Sequence, residues 1–577
     1  MAAKILFLIL AAVLLIVFVS SFVVKPAVAQ TYTDVTVSQA KAMIDSNPSL
    51  VLLDVRNQSE YDTGHVRNAE LIPVWNLTQN LDELSINDDI LVYCSSGVRS
   101  ANASQILASN GFLHVYNMLG GIDGWMAAGY PVYVQYSSLQ AAIDNATEEQ
   151  TLYVSTGVYD EYLSVNKPIT LVGENASTTI INENATVLNV NADNVSISDF
   201  TIQYVGCTCY GYASVNVTNS QNINVTNNII ISDDLGILVA GASGVNVADN
   251  DVTHAGNAPI AVSDSSAVSV FDNNVTAMEG IEIENCTQSS FSNNAIISNE
   301  VGIYISYGVY GDTVFGNNVS YGLIGLSISS CSNVSFFDND ISSSSPGLFI
   351  EQSYNNSIFH NNFLGNGSEV LCYDNSTNFW DNGFEGNFWS NYEGVDANHD
   401  GIGDTPYIIN SGNRDNYPLM GMFQSFTTSL NYNVDVVSNS TISEFQYIES
   451  NRTIELQVSN TTANQTVGFC RISIPHSLID PTNGPISVVI DNGQTPVLFL
   501  NNTLYDNGTY RWIYFTYPQS THEVLIVPEF PTFLILPLFV ITIVMATATY
   551  KRKRRFSKEP QAPIDDYPIL IMKLCSA

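Results

Sequence analysis

The sequence predicts a multidomain chain: an α/β domain, an all-β right-handed parallel β-helix, a β-sandwich-like domain and one C-terminal transmembrane helix. Three observations carry this. Strand and helix patterns alternate over residues 32–135. An Asn recurs every 21–23 residues through the middle of the chain. Both ends carry long apolar runs, the second followed by a basic cluster. The 577 residues suit several domains. With 18 Lys+Arg against 55 Asp+Glu the net charge is -37, a surface that repels phosphate and excludes nucleic acid as a partner. Only 13% of residues are charged but 45% are hydrophobic, which supplies real cores and rules out global disorder.

At the start, Lys4 precedes an apolar run from Ile5 to Val24, and Ala27-Val28-Ala29 forms a cleavage-type site. Residues 1–29 therefore read as a secretory signal peptide, with retention as an anchor the alternative. Residues 531–550 form a transmembrane helix long enough to cross about 30 Å of hydrocarbon. The cluster Lys551-Arg552-Lys553-Arg554-Arg555 puts the tail 551–577 in the cytoplasm and the bulk of the chain outside, single-pass, with the membrane as a partner. Many N-x-S/T sequons, such as Asn216-Val217-Thr218, agree with an extracytoplasmic glycoprotein. Val527-Pro528-Glu529-Phe530-Pro531 resembles archaeal PEF-type sorting signals of cell-surface proteins. Eight cysteines in this length do not make a disulfide scaffold.

In residues 32–135, Leu50 to Val55 and Ile90 to Tyr93 read as buried strands and Ser100 to Asn110 as a helix closed by Gly111. Between the second strand and that helix lies Cys94-Ser95-Ser96-Gly97-Val98-Arg99-Ser100. A thiol facing a helix N-terminus meets unpaired N–H groups and a dipole that favour its anion. Gly97 permits a tight loop, and Arg99 adds a forked positive charge. Cys94 is the domain's only cysteine, so no local partner locks it in a disulfide.

Together with Leu53-Asp54-Val55-Arg56, Glu60 to Val66 and Leu119 to Trp125, this loop resembles the rhodanese family over the whole segment. The resemblance implies that Cys94 carries sulfane sulfur as a persulfide. Backbone amides of Ser95, Ser96, Gly97, Val98 and Arg99 would cradle the charge, with Arg99 steering anions and Asp54 and Arg56 supporting the loop. It implies small sulfur donors and acceptors (thiosulfate, polysulfide, thiols) and no cofactor. The C-x4-R spacing is shorter than the cradle of related cell-cycle phosphatases, which favours sulfur transfer over phosphatase chemistry. His65 reads as structural.

Residues 136–422 form the repeat. Asn228, Asn250, Asn273, Asn294, Asn317, Asn339 and Asn361 are in phase, with apolar residues two positions after and three before each. One coil cannot bury its own face, so the coils stack into a parallel β-helix at about 4.8 Å per coil. Each Asn is expected at a turn, tolerating left-handed backbone and pairing its amide with the next coil. Ser138 to Ile143 reads as a capping helix. With Lys167-Pro168-Ile169-Thr170-Leu171-Val172-Gly173 it resembles NosD-like and carbohydrate-binding β-helix proteins, an implication that includes copper delivery and surface glycans as ligands. No His/Met/Cys cluster suited to copper is visible. Cys207 and Cys209 read as a soft-metal or a disulfide pair, while Cys286 and Cys331 read as core thiols. Glu282 and Glu284 share a face that points to solvent.

At the end of the repeat, Asp396, Asn398, Asp400, Ile402 and Asp404 have the oxygen spacing of a structural Ca²⁺ loop, with Gly401 at the sharp turn. A plain Asx-turn is the alternative. Residues 424–526 alternate as antiparallel strands, a β-sandwich-like domain. Two functions compete at this level. One is a membrane-anchored surface sulfurtransferase displayed on a β-helix stalk. The other is a surface adhesion or glycan-binding protein that uses its N-terminal domain for recognition alone.

Overall fold

Residues 31–528 are described by the computed structural model, apart from 205, 207–210, 255, 344–345, 366–369, 373–375, 463–464 and 481–484. The expected signal peptide, the expected span 531–550, the tail and the Cys207–Cys209 pair lie outside the described residues. Among the described residues no helix is long and apolar enough to cross a membrane. The chain divides into two compact units, Met1–Glu393 with Thr405–Pro418 and Gly394–Asp404 with Leu419–Ala577.

The first unit opens with strands β1 (Thr33–Val35), β2 (Val51–Asp54), β3 (Glu70–Leu71), β4 (Asp89–Tyr93) and β5 (His114–Met118). They form one parallel sheet in the order β1-β5-β4-β2-β3. Helices between successive strands cover both faces, as parallel connections require. Leu53, Ile90, Val92 and Leu107 fill one side and Leu91, Tyr93, Met118 and Trp125 the other. All four long strands therefore end at one edge of the sheet, and Cys94 follows directly on β4.

Beyond this domain three parallel sheets of 11, 10 and 10 strands wind into a β-helix. Ile230, Val252, Val275, Ile296, Val319, Ile341 and Phe363 lie in register, one per coil. The seven Asn residues form a buried ladder. Asn273 Nδ2 donates to Asn294 Oδ1 at 3.0 Å, and the same bond recurs from Asn228 through Asn361, which donates to Asn387. One expectation needs correction. The left-handed residue is not the ladder Asn but its predecessor: Asn227, Asp249, Asp272, Asn293, Gly316, Asp338 and His360 all have φ between 54° and 65°. The turn falls one residue earlier because the ladder side chain must point inward while its own N–H donates to the next coil's amide oxygen.

The helix Leu139–Asn145 buries Leu139 and Ile143 against the first coils, the terminal cap such a stack needs. At the other end Trp389 stacks between Phe363 and Tyr407, with centroids 4.5 and 4.4 Å away.

The α/β domain and the rod share a buried polar junction. His65 and Tyr133 exchange N–H···O bonds, and Val134 pairs onward with Val154 of the rod. Glu174 of the rod is buried with Oε2 3.0 Å from His65 Nε2, and it accepts the Thr156 and Asn68 amides. Burial opposes its charge, but the His65 ring and those amides hold the Glu174 carboxyl below the usual carboxylate range. His65 also stacks on Tyr61 at 3.6 Å.

The second unit holds a five-stranded and a four-stranded antiparallel sheet around Val436, Leu456, Ile472 and Phe515. The Asp-rich loop belongs here. Arg471 Nη1 donates to the Asp400 carbonyl at 2.7 Å and Ile402 bridges Leu419. Sequence periodicity places this loop at the rod's end, since the long-range partner Arg471 leaves no local signal.

Candidate functional site

Cys94 sits where β4, buried between β2 and β5, runs out. The chain turns at once through Ser95 and Ser96 into the helix Val98–Ser109, whose N-cap is Gly97 at φ 100°. That left-handed corner suits glycine. It aims the helix's first amides at the sulfur: Gly97 N donates to Cys94 Sγ at 3.2 Å. The Ser100 hydroxyl donates at 3.5 Å. The loop is held from behind by Ile122 N on Cys94 O and Asp123 N on Ser95 O, at 2.8 and 3.0 Å. Those bonds need Gly121, at φ 56°, because a Cβ there would overlap the Cys94 and Ser95 carbonyls.

Cys94 is only 1% exposed. Burial alone would raise its thiol, but the Ser100 hydroxyl and the amides of Ser100, Gly97 and Ser96 outweigh it, and the thiol is held below its ordinary value. The amides of Ser96 and Gly97 thus both act on the sulfur. Val98, at 75% exposure, projects its side chain to solvent.

Arg99 lies close enough to Cys94 for a side-chain interaction as well as a charge interaction, but the main partner of its guanidinium is Glu60. Both terminal nitrogens bond Glu60, Nη1 donating to Oε2 at 2.8 Å, and Nη2 also donates to Ser95 Oγ. The Arg99 guanidinium pulls the Glu60 carboxyl down to about 2, and Glu60 in turn raises Arg99. Asp54 and Arg56 form a buried bidentate pair, and Arg56 Nη2 reaches the Gly64 carbonyl at 2.7 Å. They brace the segment that carries Glu60, with their hydrogen bonds directed to each other and to Gly64. Two functional residues escaped the sequence reading. Ser100 could have been found from its place in the helix's first turn. Glu60 lies 39 residues from Arg99, and spacing offers no signal for that pairing.

In the Asp-rich loop, Asp396 Oδ1 and Oδ2 accept the amides of Asp400 and Gly401, Asp400 Oδ1 that of Ile402, and Asp404 Oδ2 that of Ala397. Asn398 Nδ2 donates to Asp400 Oδ2 at 3.0 Å. On the rod, Asp233, Asp234, Asn257, Glu279 and Glu300 line a cavity of about 290 Å³. Glu282 and Glu284 alternate with buried Ile281 and Ile283, as expected. Among the described residues no group of three or more His, Cys, Asp or Glu side chains is placed to hold a metal ion.

Comparison with known proteins matches two families. Residues 36–128 match the rhodanese-like domain, and residues 143–320 and 306–394 match the periplasmic copper-binding protein family NosD. The thiosulfate sulfurtransferase GlpE of Actinobacillus pleuropneumoniae is 33% identical over 107 residues, 18% of this chain and 98% of that protein. The putative sulfur carrier protein YrkF of Bacillus subtilis is 33% identical over 97 residues, 17% of this chain and 52% of that one. A rhodanese-related crystal structure from Thermoplasma volcanium is 30% identical, covering 18% of this chain and all of that one, with a TM-score of 0.17. The chain belongs to the rhodanese family through its N-terminal domain and continues as a NosD-like β-helix. Among the described residues the rod brings together no cluster of the kind copper takes. Cys286 and Cys331 are buried, and burial pushes both thiols up to about 12. His360 is clamped between Asp338 and Glu385. Burial opposes its charge, yet the two carboxylates hold the imidazole up to about 9.

Proposed function

We propose that this rhodanese-family chain is a sulfurtransferase working through a Cys94 persulfide, held on the outer face of a membrane by its C-terminal span. The observation that carries the reading is the set of donors on Cys94 Sγ. A buried sulfur that receives a hydroxyl and helix amides has its thiol lowered toward the nucleophilic anion. The thiolate attacks the outer sulfur of a sulfane donor. A new S–S bond forms at Sγ, the donor's S–S bond breaks, and its electron pair leaves with the donor fragment. The amides that face the thiolate also face the persulfide anion that replaces it. A nucleophile such as a thiolate or cyanide then takes the outer sulfur and regenerates Cys94. No cofactor enters either half-reaction. The surface location is supported by the basic cluster after residue 550 and the apolar run before it.

The whole chain, loaded with a sulfane donor and examined by intact mass spectrometry, is expected to gain 32 Da, lost on cyanide treatment and absent in Cys94→Ser. A wild-type chain that gains no sulfur from any donor would sink the enzyme reading and leave the adhesion reading. Structural Ca²⁺ in the loop 396–404 is a lesser proposal, supported by the spacing of its oxygens.

A further inference from the structure

The charges around Cys94 bear on which donor the site takes. Between residues 32 and 135 there are eleven Asp and Glu against four Lys and Arg. Each of those four cations is paired with a carboxylate: Lys41 with Asp45, Arg56 with Asp54, Arg67 with Asp199 and Arg99 with Glu60. Among the described residues Arg99 is the cation that interacts with the sulfur, and Glu60 holds it with a two-pronged bond. Ser95 donates its hydroxyl to Glu60 as well, so the loop's own side chain helps keep that carboxylate in place. Asp123 is exposed next to the loop, since its amide donates to the Ser95 carbonyl. The exposed side chains near the cysteine turn are mixed: Ser96 and Asp123 are polar, while Val98 in the loop and Leu119, whose Cα would lie 3.8 Å from a Cβ at Gly97, offer an apolar rest.

A dianion approaching this mouth finds no unpaired cation to offset its desolvation, and it faces a domain of net negative charge. A neutral carrier with an apolar body to rest on Val98 and Leu119 meets neither obstacle, and a singly charged one meets both more weakly than a dianion.

We propose that the site selects persulfides of the form R–S–SH over dianionic donors such as thiosulfate, an inference that rests on the persulfide reading above. The Cys94 thiolate attacks the outer sulfur of R–S–SH, the Sγ–S bond forms, the donor's S–S bond breaks, and RS⁻ leaves to take a proton from solvent. Nothing is oxidised or reduced overall, because the sulfane sulfur keeps its oxidation state.

The test compares two donors on the whole chain, thiosulfate and the persulfide of 2-mercaptoethanol, by the rate at which Cys94 gains 32 Da. The persulfide is expected to have at least a tenfold higher kcat/KM at low salt. The thiosulfate rate is expected to climb with ionic strength, as screening weakens like-charge repulsion. Glu60→Gln, which keeps size and hydrogen bonding but releases Arg99, is expected to shift the ratio of the two constants toward thiosulfate by about tenfold, one charge's worth of attraction at about 1.4 kcal/mol. Equal constants in the wild type, or a thiosulfate rate that falls with salt, would overturn the selectivity while leaving sulfur transfer intact. The salt dependence needs no variant and holds even if Glu60→Gln misfolds. Loading by neither donor would remove both readings.

Discussion

Cys94 and the pair Cys286 and Cys331 are all buried on parallel sheets, yet their chemistry diverges. In the rod, sulfur donates: Cys286 Sγ points at the Glu284 carbonyl at 3.2 Å and Cys331 Sγ at the Ser329 carbonyl at 3.1 Å. Burial drives both thiols up to about 12, and no hydroxyl or helix N-terminus is set against it in the described surroundings. In the α/β domain, sulfur accepts from a hydroxyl and amides, and its thiol falls. Burial is common to both regions. What separates them is the polarity of the groups the backbone turns toward the sulfur, which depends on whether the strand runs into a helix N-terminus or into another coil.

The contrast breaks most visibly under substitution. Cys94→Ser is expected to drop sulfur transfer to background, while Cys286→Ser and Cys331→Ser leave it within about twofold; cyanolysis of the loaded protein reads all three. Next comes the rod's own polar device. Asn273→Ala removes a side chain bonded to Asn294, Val247 and Phe271 and leaves the Asn250 amide without its acceptor. Stranding buried polar groups at about 1–3 kcal/mol each should cost the rod about 3–5 kcal/mol, measured as a lowered urea midpoint. Persulfide loading at Cys94 should persist below that midpoint.

Smaller effects sharpen the comparison. Ser100→Ala should move the pH midpoint of Cys94 alkylation upward, toward ordinary thiol behaviour, because one lowering donor is gone. His360 tests the rod in the opposite sense. Its folded value of about 9 lies above the free value near 6.5, so its contribution is complete below about pH 6.5 and fades as pH climbs through 9. A melting temperature a few degrees lower at pH 9.5 than at pH 6, with a flatter profile in His360→Gln, is the expected result. Smallest of all, EDTA should lower the melting temperature of the second unit if Ca²⁺ holds the loop 396–404; an unchanged value leaves its own amides as the whole support.

Sequence legibility followed the range of the interactions. The cysteine loop was readable because Cys94, Gly97 and Arg99 are neighbours and their geometry is local. The ladder was readable because its period repeats. The left-handed position was misplaced by one residue, since period fixes spacing but not which residue bends. Glu60 on Arg99, Glu174 under His65 and Arg471 on Asp400 were invisible, as each joins segments dozens of residues apart.

Glu174 makes the N-terminal domain a poor candidate for excision. Truncation after Gln135 would strip His65, Arg67 and Asn68 of a shared counterpart and open a sealed imidazole to solvent. Tyr61, stacked on that imidazole, adjoins Glu60, so the wound would sit one residue from the arginine clamp. Grafting this domain onto another scaffold therefore means carrying the first turns of its pedestal along.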